Sequence, residues 1–348
     1  MISSYDKQLL QKVFAQDAAI GSVFNLFIRA VSGKLIRLKD GGWEANPRFE
    51  KEVDYELDKL RRNLEATIYN SQKWAISLST AKNDDLVNSY IKGMAISGKL
   101  KDKLFGVNEK ALEAFLNRKV NGLNLSDRIW NLKGQVKDQL GYYLESGIAT
   151  GRSATMIAQD IRQILRNPDE LYRRVRNSKG ELVPSQPMKN KSTGSGMYKS
   201  AHQNAVRLAA TETNMAYRMA DHTRWQNLDF VVGYEVRLSK SHPATDICDD
   251  MKGRYPKDFI FRGWHPRCFC NAVPILMPED EYLEYMDADE SQASEILARN
   301  EVKAIPSAAT NYIAKNSKAI SGLKSAPYWV SDNFKNGSII EGLSVAGR

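Results

Sequence analysis

Residues 242–270 read HPATDICDDMKGRYPKDFIFRGWHPRCFC. The whole chain has only three cysteines and four histidines. Cys248, Cys268 and Cys270 all fall in this window, together with His242 and His265. Thiolate and imidazole are the donors that Zn²⁺ prefers, and four of them close a tetrahedral site. Cys268 and Cys270 stand at i and i+2, positions that face one side of an extended segment. His265 lies just before them, beyond Pro266, whose fixed φ makes a bend. Cys248 comes from the far end of the loop. The spacing therefore favours Cys248, His265, Cys268 and Cys270 as the ligand set, with His242 in reserve. Asp246 and Asp249 flank Cys248 and could orient an imidazole.

Three other readings compete for the same residues. A disulfide is disfavoured by the odd cysteine count and the tight Cys-x-Cys spacing. The cysteines could instead be small buried hydrophobes. A Cys/His nucleophile is also conceivable, but no oxyanion-hole pattern accompanies it.

A period-two strand leads into the loop: Val232, Tyr234, Val236 and Leu238 alternate with Gly233, Glu235 and Arg237, which predicts one buried face. A second strand, from Phe269 to Ile275, leaves the loop, and Pro274 and Pro278 restrict it to a sheet edge. Two strands around a loop bury little core, and metal ligation commonly holds such units together.

Upstream, the pattern is helical. Residues 5–32 carry a broad apolar face through Leu9, Val13, Ile20, Phe24 and Phe27. After Gly41-Gly42, Asn46-Pro47 opens a long helix to about Leu78, with Phe49, Val53, Leu57, Leu60, Leu64 and Ile68 three and four apart. A further helix is expected over 84–97, and a short one over 109–117. Ser126-Asp127 is expected to cap a helix ending at Gly147, and Thr150-Gly151-Arg152-Ser153 starts another, forming an antiparallel hairpin. Residues 200–227 form a helix of small residues. Within it, Glu212 is expected to neutralise Arg207 or Arg218. The fold class is thus mainly α, helical hairpins or a bundle, with a small β-hairpin element carrying a Cys/His metal loop. The expected segments are a helical domain 1–165, a flexible basic insert 166–200, a core with the metal loop 201–277, and a C-terminal part 278–348.

The chain of 348 residues carries a formal charge of +9. Residues 151–240 hold 15 Lys and Arg against 8 Asp and Glu. Such a balance suits a polyanion, and Arg173, Arg174, Arg176, Arg207 and Arg218 are the candidate phosphate contacts. The Gly-Ser-Gly at 194–196 lacks the strand, helix and Lys-Ser context of a phosphate-binding loop. The start has no uninterrupted apolar stretch of a leader, and no run approaches a membrane span, so no membrane contact is expected. After Pro278 comes one acidic helix. Tyr328, Trp329 and Phe334 near the end are too apolar for a free tail; they dock on the chain's own helices or anchor a partner.

The run His242-Pro243, Asp246-Ile247-Cys248, Gly253, then His265-Pro266-Arg267-Cys268-Phe269-Cys270, after a helix bearing Ala209-Ala210-Thr211-Glu212, resembles the phage Mu F-like minor head proteins, the head morphogenesis family. The resemblance spans about residues 110–277. Phe269 and Ala210 stand where the family commonly has arginine. The resemblance implies a minor head protein of a tailed bacteriophage and no enzymatic activity. Its implied partners are the portal protein, capsid or scaffold proteins and the packaged double-stranded DNA. Its implied place is the virion, after synthesis in the host bacterial cytoplasm. The alternative from the residues is a zinc-supported DNA-binding protein or a nuclease of the His-Asn-His kind.

Overall fold

The computed structural model describes residues 3–38, 46–149, 153–164, 174–176, 178, 180–184, 201–239 and 245–344. The architecture is mainly helical with a small antiparallel sheet, as expected. It divides into two compact units. The first comprises residues 1–13, 71–122 and 210–348, and the second residues 14–70 and 123–209. This partition cuts across the four consecutive segments expected from the sequence.

The second unit is built from apolar helical stripes. Its helices come from α1 (Ser4–Arg37), α2 (Pro47–Tyr90), α5 (Leu125–Ala149), α6 (Ala154–Ile164) and the start of α7 (Ala201–Gln226). Between α2 and α5 lie α3 (Gly98–Phe105) and α4 (Glu109–Leu116), which belong to the first unit. Every member of the predicted stripe on α2, from Phe49 to Ile68, is buried in one cluster with Ile20, Phe24 and Val31 of α1 and Ile129 and Val136 of α5. Lys133 and Lys137 of α5 meet Asp58 and Asp54 of α2 at 2.7 and 2.8 Å, so these two helices run antiparallel. The cap of α5 is Asn124, not Ser126: its side chain accepts from Asp127 N at 2.8 Å and Asp127 returns the bond. By length and composition α1 could cross a membrane, with an 18-residue window of mean hydropathy 1.4. That amends the expectation of no such run, but Phe24, Phe27 and Ile28 on its inner side are core residues.

One helix boundary differs from expectation for a physical reason. The polar run at 79–85 reads as a break, yet α2 continues through it to Tyr90. Ser79 and Asn83 are fully buried and both bond Asp221, at 2.7 and 2.9 Å, while Lys82 pairs with the same carboxylate. A buried polar network replaces the expected turn. The expected insert 166–200 contains a short hairpin, β1 (Arg174–Arg176) against β2 (Leu182–Pro184). Most of its other residues, Arg173 among them, lie outside the described residues.

In the first unit, β3 (Val231–Arg237) is the centre of a three-stranded antiparallel sheet between β4 (Gly253–Tyr255) and β5 (Asn271–Leu276). The edge position of β5 agrees with its proline. One buried face was expected for β3, but Val231, Val232, Gly233 and Tyr234 are all buried. The C-terminal chain explains this. Val302 N donates to Val232 O at 3.0 Å, and a Cβ at Gly233 would lie 2.6 Å from Val302 Cγ2, so only glycine fits there. A helical turn, α8 (Ile247–Asp250), precedes β4. The acidic C-terminal helix is two helices, α9 (Glu279–Asp287) and α10 (Glu290–Asn300), separated where Asp289 caps the second. Then follow α11 (Ser307–Ser321) and α12 (Tyr328–Asn333).

A candidate metal centre

Each sulfur is placed by local backbone structure. Cys248 sits on α8, whose N-terminus is held by a capping box: Asp246 Oδ1 accepts from Cys248 N at 2.7 Å, and Asp249 Oδ2 accepts from Asp246 N at 3.0 Å. Cys268 follows a turn closed by Cys268 N to His265 O at 3.1 Å. Arg267 within it takes φ +59°, a left-handed conformation costly for arginine. Its N–H donates to Thr211 Oγ1 at 3.1 Å, so α7 holds the strained turn in place.

The strongest support is Arg218. The residue is 5 % exposed, and its guanidinium donates to three carbonyls: Arg262 O at 2.9 Å, and Cys268 O and Cys270 O at 2.6 Å each. Asn214 Nδ2 adds a bond to Cys268 O at 3.2 Å. Thr211, Asn214 and Arg218 therefore form one polar stripe on α7 at helical spacing, all directed at the cysteine loop. Gly263 lets the guanidinium in: its φ is +117°, and a Cβ there would lie 2.5 Å from Arg218 Nη1.

The donor atoms converge. Cys248, Cys268 and Cys270 are free thiols, all buried, with their sulfurs within 4.8 Å of one another. Cys248 Sγ lies 3.8 Å from Cys268 Sγ and 3.2 Å from His265 Nε2. A tetrahedral ion with metal–sulfur bonds of about 2.3 Å sets its sulfurs about 3.8 Å apart. A second group, Asp246, Cys248 and His265, shares Cys248. His265 Nδ1 lies 2.8 Å from Pro266 O, an acceptor, so Nδ1 carries the proton in the neutral ring. That leaves the Nε2 lone pair facing Cys248 Sγ and, at 3.1 Å, Asp246 Oδ2. Three electron-rich atoms around one point are mutually repulsive unless a cation or a proton lies between them. Hydrogen bonds from Cys248 and Cys270, then the Arg218 charge, pull the Cys268 pKa below the ordinary thiol value, so Cys268 is the readiest thiolate. The cluster fits a metal ion in donor type, burial and spacing.

Other predicted site residues fall elsewhere. His242 lies outside the described residues. Arg218, expected on phosphate, is spent on the loop carbonyls, and Arg224 is buried on Phe105 O and Gly106 O. Arg207 is half-buried on α7, and Arg174 and Arg176 lie on β1. Glu212 is bound by Arg118 at 2.9 Å and by Gln72 at 2.8 Å. Trp329 and Phe334 are 1 % and 4 % exposed, and Tyr328 packs against the same core. Their docking is internal, and the expectation of a partner anchor is corrected accordingly. Asp249, expected as an orienter of imidazole, accepts from Asp246 N in the helix cap. Comparison with known proteins adds no identity: no family model, no curated protein and no solved structure matches this chain.

Proposed function

We propose that the loop holds one structural Zn²⁺ through Cys248, His265, Cys268 and Cys270, and that the chain is a minor head protein of a tailed bacteriophage. The observation that carries the first part is the convergence of three buried sulfurs, with the Nε2 of His265 at 3.2 Å from one of them, Cys248 Sγ. Softness and charge favour zinc over Mg²⁺ or Ca²⁺, which take oxygen ligands. The role is structural on this reading, because His265 is already engaged at both ring nitrogens and is no spare base.

The second part rests on the sequence resemblance, which covers the same loop and the α7 stripe that supports it. On this reading the protein acts in head morphogenesis beside the portal protein and the capsid or scaffold proteins. Packaged double-stranded DNA is a further partner, and the protein resides in the virion after synthesis in the bacterial cytoplasm. Purified protein is expected to carry about one equivalent of zinc by elemental analysis, and Cys248→Ser to lose it. Full zinc retention by Cys248→Ser would move His242 into the ligand set. Co-expressed with the portal protein of its own genome, the chain is expected to elute with it from a sizing column. Complete separation at micromolar concentration, with normal heads forming in the absence of this gene, would overturn the assignment.

A further inference from the structure

The C-terminal helix α12 closes over the cysteine loop through polar pairs and an aromatic contact. Arg262, in the loop, binds Asp332 of α12 through two nitrogens, at 2.8 and 2.5 Å. The Asn333 side chain, 1 % exposed, pairs with the loop backbone at Ile260, accepting from N at 2.7 Å and donating to O at 2.9 Å. Trp329 meets Trp264 edge to face with centroids 6.2 Å apart. Two polar groups in this contact are left over, the Trp264 indole nitrogen and the Tyr328 hydroxyl. The Tyr328 hydroxyl is buried and has no hydrogen-bond partner.

Its position relates it to Cys268. Measured from the point a Cβ on Gly263 would occupy, Cys268 Cβ lies at 3.1 Å and the Tyr328 hydroxyl at 3.5 Å. A phenol carries its proton at neutral pH, so the hydroxyl is a donor. A buried donor without an acceptor is unfavourable, and such groups call for an explanation. A neutral thiol is a weak acceptor, whereas a metal-bound thiolate carries negative charge and accepts well.

We propose that Tyr328 is a positioning residue of the metal centre: its hydroxyl donates to the Cys268 thiolate once the ion is bound. The bond makes α12 part of the support around the ion, so metal binding and seating of the C-terminal helix strengthen each other. This inference rests on the metal reading above.

The test compares full-length wild type with Tyr328→Phe, using Co²⁺ as a spectroscopic probe. Without metal, the variant is expected to melt no lower than wild type, because it loses only an unpaired hydroxyl. With metal, it is expected to bind Co²⁺ about 10-fold more weakly, the lower end of the usual cost of losing an outer-shell partner. Its sulfur-to-cobalt charge-transfer band is expected to shift, because one thiolate loses a hydrogen bond. Equal affinity and an unshifted band in the variant would overturn the role of Tyr328 while leaving the metal centre standing. A metal-free variant that melts lower, with an unshifted band, would show that Tyr328 only fills space. Wild type that binds no Co²⁺ would instead overturn the metal reading itself.

Discussion

Arg218→Met removes the clamp under the cysteine loop while keeping most of the side-chain volume. Three carbonyls lose a charged donor. Asn214 still reaches Cys268 O at 3.2 Å, so Arg262 O and Cys270 O bear the loss. Leaving a buried polar group unpaired costs about 1–3 kcal/mol, so with two such groups the substitution is expected to destabilise the first unit by about 2–6 kcal/mol. The loss of positive charge acts in the same direction on metal affinity, since Arg218 helps to lower the Cys268 pKa. Arg218→Lys places one compact ammonium where a fork served three acceptors, and it is expected to recover only part of the loss. The assay is urea unfolding of the metal-free and zinc-loaded protein, with zinc retention measured on the same samples. A loss below about 1 kcal/mol in both states, with zinc retained, would refute the assignment of Arg218 as the support of the loop.

Two further outcomes test other parts of the structure. Trp329→Ala is expected to cost about 3–5 kcal/mol in urea unfolding, because Trp329 is 1 % exposed in the first unit's core; an unchanged midpoint would return it to the role of a surface anchor. His222 has its pKa depressed from 6.5 to about 4, chiefly by burial and then by Arg262 and Lys257. The unfolded chain therefore takes up a proton between those values that the folded chain refuses, so this stability is complete above pH 6.5 and is lost as pH falls towards 4. The ceiling is about 3 kcal/mol, reduced by the residual exposure of the ring. In metal-free protein, His222→Asn is expected to flatten the fall in stability between pH 7.5 and 4.5 (about these values) relative to wild type; parallel curves would show that His222 does not contribute.

Local periodicity and chemistry were legible in the sequence. The stripe from Phe49 to Ile68 specifies a buried helix face by spacing alone, and the structure buries each member. The edge placement of β5 follows from Pro274, which cannot donate to a ladder. Cys248, His265, Cys268 and Cys270 could be picked out because soft donors are scarce in the chain and concentrate in one loop.

Where a polar group finds its partner was decided only by the tertiary structure. The run at 79–85 looks like a helix break because Ser, Asn and Asp usually favour caps and turns. Asp221, some 140 residues on, satisfies Ser79 and Asn83 inside the protein and keeps the helix continuous. Arg218 reads as a surface cation among many, yet the loop folds back on α7 and buries it against its carbonyls. Glu212 meets an arginine far away in the chain, Arg118. Trp329 could have served a partner or the core, and the choice depended on the loop at 260–264 being there to receive it. Helical and strand periods are properties of a few neighbouring residues, so sequence alone carries them. Desolvated charges and hydrogen bonds are settled between segments far apart in the chain, and there the fold decides.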